Sequence, residues 1–207
     1  MTTYQTDQEA FWAGQFGDDY VARNRYDIAA TLAMFSRILT HTHGVESLFE
    51  LGCNIGQNLR ALRLLKPQAR ISAVEINTQA HVRAKADFPD VIHGSILELT
   101  PEAAGPVDLV YTKGVLIHIN PDALPMVYDL MATIGRRYVL MSEYYNPKPV
   151  AIDYRGHDQR LFKRDFAGEF LDRHPEFRLA DYGFVYHRDP VFPRDDANWF
   201  LMERIPA

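Results

Sequence analysis

The chain has 207 residues, 47% apolar and 24% charged, an ordinary globular composition with length enough for one domain and a sizeable core. Its formal net charge of -5 disfavours a general nucleic-acid binder, and carboxylates interrupt the basic residues around Arg155 to Arg164. One cysteine, Cys53, excludes an intrachain disulfide framework, no run of about 18 apolar residues marks a membrane span, and "MTTYQTDQEA" lacks a secretory leader, so a reducing, cytoplasmic setting without membrane contact is expected.

In chain order, "EAFWAGQFGDDYVARN" and "YDIAATLAMFSRILT" predict helical segments, the second with apolar residues three and four apart. "VESLFELG" predicts a strand ending in glycine, "QNLRALRLLK" a helix stopped by Pro67, and "RISAVEI" a second strand. "NTQAHVRAKAD" reads as a helix and "DVIHG" as a short third strand. "VDLVYTKG" is the fourth strand, "PDALPMVYDLMATIG" a helix and "RYVLMSEY" the fifth strand. After an irregular stretch, "RDFAGEFLDRH" is a helix with Asp165 as N-cap, and "FRLADYGFVYHRD" and "ANWFLMERI" close the chain as two strands.

Strands alternating with helices predict an α/β, Rossmann-like, doubly wound sheet, mainly parallel and seven-stranded, with an antiparallel C-terminal edge. A single domain over 1–207 is expected, with an N-terminal helical cap over 5–40 and a substrate-side insert over 144–164. Ligands in such a sheet sit beyond the carboxyl ends of the strands.

"FELGCNIGQNLRAL" joins the first strand to its helix. Gly52 permits a sharp turn and close approach of a ligand, and Gly56 opens the helix with free N–H groups. Asn54 stands where a dinucleotide fingerprint has its middle glycine, which argues against a pyrophosphate and against nicotinamide chemistry. Glu75, 23 positions after Gly52 at the end of the second strand, suits ribose hydroxyls.

E-x-G-x-x-x-G followed by that acid resembles the class I S-adenosylmethionine-dependent methyltransferases. The resemblance implies S-adenosyl-L-methionine as cofactor, its methionine moiety on Glu50, Gly52, Cys53, Asn54 and Gly56, and its ribose on Glu75 beside Ile76. Glu50 would offset the cofactor's positive charge. Near Ser95 the family often has an acid that touches the adenine amino group, and here Ser95 with the Ile96 backbone would take that place. Thr112, Lys113 and Gly114 would border the sulfonium. "FWAGQFGDDYVARN", "KGVLIHINPD", "EYYNPKPV", "YRGHDQRLFKRDFAGE" and "YGFVYHRDP" resemble, more narrowly, the methylases associated with pseudaminic acid biosynthesis, over about Phe11 to Trp199.

Beside the expected methyl position stands "SEYYNP". A carboxylate flanked by phenol rings suits a planar cation, an amidine or guanidine, and some nonulosonic acid sugars carry N-methylated amidines. On this reading Glu143 binds and orients the cation and Glu143 or His118 takes the proton. The acceptor, a small molecule, would be held by Tyr144, Tyr145 and Asn146, by Tyr154, Arg155, His157 and Arg160 of the insert, and by Tyr186 and His187. Trp12, Phe16 and Tyr20 would form a helical lid. Alternatives are O-methylation of a sugar hydroxyl with His118 or His157 as base, methylation of a carboxylate bound by Arg155 or Arg160, and a non-catalytic binding module. "HTH" at His41–His43 offers two imidazoles and no third ligand, so no metal is expected. Pairing into a homodimer is left open.

Overall fold

The computed structural model describes residues 4–23 and 27–206. Its centre is β1 (Ser47–Leu51), whose last four residues are all buried, as a strand covered on both faces requires. Parallel neighbours are β2 (Arg70–Glu75), β3 (Val91–His93), β4 (Val107–Lys113) and β5 (Gly135–Glu143). β8 (Phe177–Val185) and β9 (Ala197–Arg204) complete the order β3-β2-β1-β4-β5-β9-β8, with β9 antiparallel to both β5 and β8. The seven strands and the antiparallel edge are those expected. Strand order reverses between β1 and β4, so a crevice opens beyond their carboxyl ends.

Alternation along the strands splits the core into two layers. Phe49, Val74, Val110, Val139 and Met202 face one side, packed by α7 (Leu124–Ile134) and α8 (Phe166–Arg173). Leu48, Ala73, Leu109, Leu140 and Trp199 face the other, packed by α3 (Ile28–Leu39), α4 (Gln57–Leu65) and α5 (Thr78–Asp87). In α3 the buried Ala30, Met34, Phe35 and Ile38 repeat at helical spacing, and Asp27 caps the helix by accepting the Ala29 N–H (2.8 Å). Asp165 caps α8 as expected, accepting the Gly168 N–H (2.8 Å).

Several expectations are corrected. The first helical segment is broken at Gly14 into α1 (Asp7–Ala13) and α2 (Gln15–Arg23); its last residue, Asn24, lies outside the described residues, as does Tyr26. Within the expected cap, α1 and α2 stand over the crevice, while α3 with its N-cap brings Asp27 and Ala30 to it and packs the rest of its apolar face into the core. A short α6 (Pro101–Ala104), capped by Thr100, was not foreseen. The insert is a two-stranded antiparallel ribbon of β6 (Val150–Tyr154) and β7 (His157–Lys163). β8 stops at Val185, which leaves Tyr186 and His187 in the loop that follows. No helix among the described residues is long and apolar enough to cross a membrane.

Candidate active site

Two adjoining cavities lie beyond the carboxyl ends of the strands and share Tyr20, Lys113, Gly114 and His118. The first is built around the turn after β1. Gly52 has φ +78° and its N–H donates to the Val74 carbonyl (3.0 Å). A side chain there would meet Val115 Cγ2 at 2.8 Å, so both conformation and space require glycine. Asn54, also at positive φ, donates its N–H to Glu75 Oε2 (2.6 Å), and Asn77 donates to Glu75 Oε1 (2.8 Å). Glu75 thus ties the glycine turn to β2, and burial raises its pKa. Each of its oxygens retains a lone pair for a ligand.

Cys53, Asn54, Glu75, Ile76, Ser95 and Ile96 line this cavity with Gly52, and Trp12 and Tyr20 reach it from the N-terminal helices. Gly56 sits behind it as the left-handed cap of α4. Glu50 is fully buried behind the wall, accepting from Asn58 Nδ2 (2.6 Å) and Tyr111 Oη (3.0 Å), and burial lifts its pKa to about 7. Its place on the wall is taken by its partner Asn58 and by Lys113, whose pKa burial lowers to about 8. Thr112 is buried within β4.

The second cavity is walled by Glu143, Tyr144, Tyr154 and Arg155, with Asp27, Arg194 and Asp195 also on it. Glu143 is 4% exposed. Its Oε2 accepts the Val115 N–H (3.0 Å) and, more weakly, the Ile117 N–H (3.5 Å), and burial lifts its pKa to about 7. His118 Nδ1 donates to the Arg160 carbonyl (2.6 Å), which leaves Nε2 as the acceptor nitrogen of a neutral ring. Burial pushes this pKa down to about 4. The imidazole packs between Trp12 (4.6 Å between centroids) and Tyr154 (4.9 Å).

Other expected acceptor residues lie elsewhere. Phe16, His157 and Arg160 cluster with Phe11 where α1 and α2 meet the ribbon, off both walls. Tyr145 points away from Tyr144 and sits against Phe200. Asn146 is half-buried and donates to the Lys148 carbonyl. Tyr186 is exposed, and His187 pairs with Asp196 (2.8 Å) on the surface.

Sequence reasoning missed Gln8 and Glu9, which line the first cavity from α1. Thr6 and Glu9 form a capping box, T-x-x-E, a pattern legible as a helix start and silent about where the acid goes. Among the described residues, no three His, Cys, Asp or Glu side chains are grouped to hold a metal.

No family model matches the chain. A thiopurine S-methyltransferase from Xanthobacter autotrophicus is 28% identical over 165 residues, covering 78% of this chain and 71% of that protein. Among solved structures, magnesium protoporphyrin IX methyltransferase from Synechocystis, with bound S-adenosylmethionine, superposes with a TM-score of 0.63 at 15% identity, covering 98% of this chain and 100% of that one. A SAM-dependent methyltransferase from Leishmania major gives 0.68 at 14% identity, covering 96% and 87%. The fold is that of the class I S-adenosylmethionine-dependent methyltransferases. Fold, glycine turn and sequence relative agree on one class of enzyme, a methyltransferase that uses S-adenosylmethionine. The narrower likeness to the pseudaminic acid-associated methylases stands as an expectation.

The first cavity suits that cofactor on its own chemistry. Gly52 clears space at the turn, Glu75 offers lone pairs, and Gln8 Oε1 and Trp12 Nε1 are buried without a partner among the described residues.

Proposed function

We propose that the chain methylates a small, soluble polar molecule held in the second cavity, at a nitrogen of an amidino or guanidino group. Glu143 carries this reading: a deeply buried carboxylate on that wall, beside the Tyr144 and Tyr154 rings. Opposite charge and flat aromatic faces together suit a planar cation. With its pKa near 7, Glu143 holds a proton better than an exposed carboxylate and is matched to taking one from the nitrogen at neutral pH. His118 is the poorer base, being held neutral by burial, with Nδ1 committed to the Arg160 carbonyl. S-adenosylmethionine supplies an electrophilic methyl group on a sulfonium. The chain's own residues align the acceptor and keep water out.

A second reading follows from the bond that Glu143 makes to the Val115 N–H, which gives the carboxylate a structural task. A nucleophile that arrives already ionised, such as a thiolate, needs no base and would face Lys113 and Arg155. The sequence relative is a thiopurine S-methyltransferase, which supports this alternative. A sugar hydroxyl is the least supported, because it needs a strong base and His118 is a weak one.

Labelled-methyl transfer to a panel of amidines, free arginine, amino sugars, thiols and carboxylates separates these readings. Amidines or guanidines are expected to be the acceptors, with Glu143→Gln lowering kcat/KM at least ~100-fold. Turnover of thiols alone, at the same rate in Glu143→Gln, would replace the first reading by the second.

A further inference from the structure

A purine with an exocyclic amino group offers two hydrogens, and a pocket that recognises it needs an acceptor shielded from water. Of its side chains, the loop after β3 brings the Ser95 hydroxyl to this wall, and its hydrogen is already given away. Ser95 Oγ donates to Glu9 Oε1 across 86 positions of sequence and accepts the Leu97 N–H (2.9 Å). The strong acceptor at this wall is therefore Glu9 of α1. Its Oε2 accepts the Thr6 N–H (2.8 Å), so the carboxylate is gripped at both ends. A carboxylate has roughly four lone-pair sites, and these contacts leave capacity for a ligand.

Glu9 and Ser95 are each 6% exposed, and both line the cofactor cavity beside Val74, Ile76, Ile96 and Leu97, apolar surfaces suited to a flat ring. α1 carries a second, independent sign of a ligand. Gln8 is also 6% exposed and lines the same cavity. Its Nε2 donates to the Gln159 carbonyl (2.9 Å), while its Oε1 has no partner among the described residues. A buried acceptor left open in this way costs free energy unless a donor arrives.

We propose that α1, rather than the loop after β3, reads the cofactor's purine: Glu9, positioned by Thr6 and Ser95, accepts from the amino group, with Gln8 Oε1 as the neighbouring acceptor. The proposal rests on the methyltransferase reading and adds that the nucleobase pocket is complete only with the N-terminal helix docked.

Calorimetric titration of the full chain with S-adenosylhomocysteine and with S-inosylhomocysteine, where an oxo group replaces the amino group, tests it. The wild-type chain is expected to bind the amino ligand at least about 10-fold more tightly. Glu9→Gln keeps an acceptor for Thr6 and gains a donor for the oxo group, so it should bring the ratio within about 3-fold. Equal binding of both ligands by the wild type overturns the proposal without any variant. So does an unchanged ratio in a Glu9→Gln chain that melts like the wild type. If Glu9→Gln does not fold, Ser95→Ala, which removes the anchor of Glu9 across the cavity, is expected to lower the ratio too, and an unchanged ratio there overturns the proposal. If the wild type binds neither ligand, the methyltransferase reading itself fails.

Discussion

The first cavity is built on a backbone turn to which α1 adds side chains, the second mainly on side chains. Around the first, a positive-φ turn, two N–H groups on Glu75 and the ends of β1 and β2 leave little freedom. Around the second, Asp27, Glu143, Arg155 and Arg194 come from separate segments of the chain. A backbone-built site follows from the fold, and relatives of low identity can share it. A site built from long side chains can be refitted to another acceptor without touching the sheet.

The comparison is broken most directly at the turn. Gly52→Ala places a side chain at φ +78° and 2.8 Å from Val115 Cγ2, a combined cost of about 2–4 kcal/mol. S-adenosylhomocysteine binding should weaken at least ~30-fold and the melting temperature should fall. Affinity within about two-fold of the wild type would mean that the turn is not the cradle.

A next, smaller effect compares the two halves through pH. Burial lifts the pKa of Glu50, behind the wall of the first cavity, from 4.5 to about 7, so its contribution to stability is full below pH 4.5 and is lost as pH rises to about 7. His118, between the cavities, has the opposite sign: lowered from 6.5 to about 4, its contribution is full above pH 6.5 and is lost as pH falls towards 4. Glu50→Gln should therefore gain stability relative to the wild type as pH rises from 4.5 to 8, by roughly 3 kcal/mol at most. Urea denaturation at several pH values measures this difference. A constant difference across that range would show that Glu50 is not the titrating group.

The smallest effect is expected at the rim. His187→Ala removes a pair with Asp196 on the exposed surface, outside both cavities, and should leave kcat/KM within about two-fold. A larger loss would extend the acceptor site onto the loop after β8.

The sheet, the glycine turn and the acid at the end of β2 were legible in the sequence because each depends on local pattern: alternation, glycine spacing and strand–helix order. Glu9 was not, because its partner Ser95 lies 86 positions away and nothing in T-x-x-E says which wall a helix will meet. Glu143 was legible as a carboxylate at the exit of the fifth strand, but not its burial or its bond to the Val115 N–H, which depends on how the chain turns after β4. The insert read as irregular because "AIDYRGHDQR" has neither clean alternation nor a short turn signal, yet it pairs as a ribbon. Tyr186 and His187 were placed in a strand by their aromatic, β-prone surroundings, and the strand ends just before them.

The elbow between α1 and α2 constrains this enzyme in terms of size rather than charge. A methyl group on Gly17 would lie 1.9 Å from the Trp12 carbonyl oxygen and 2.8 Å from Asn77 Nδ2. Even alanine, the best helix former, would have to push the two helices apart. A library varied at Gly17 should therefore return glycine alone, although nothing at that position touches either ligand cavity.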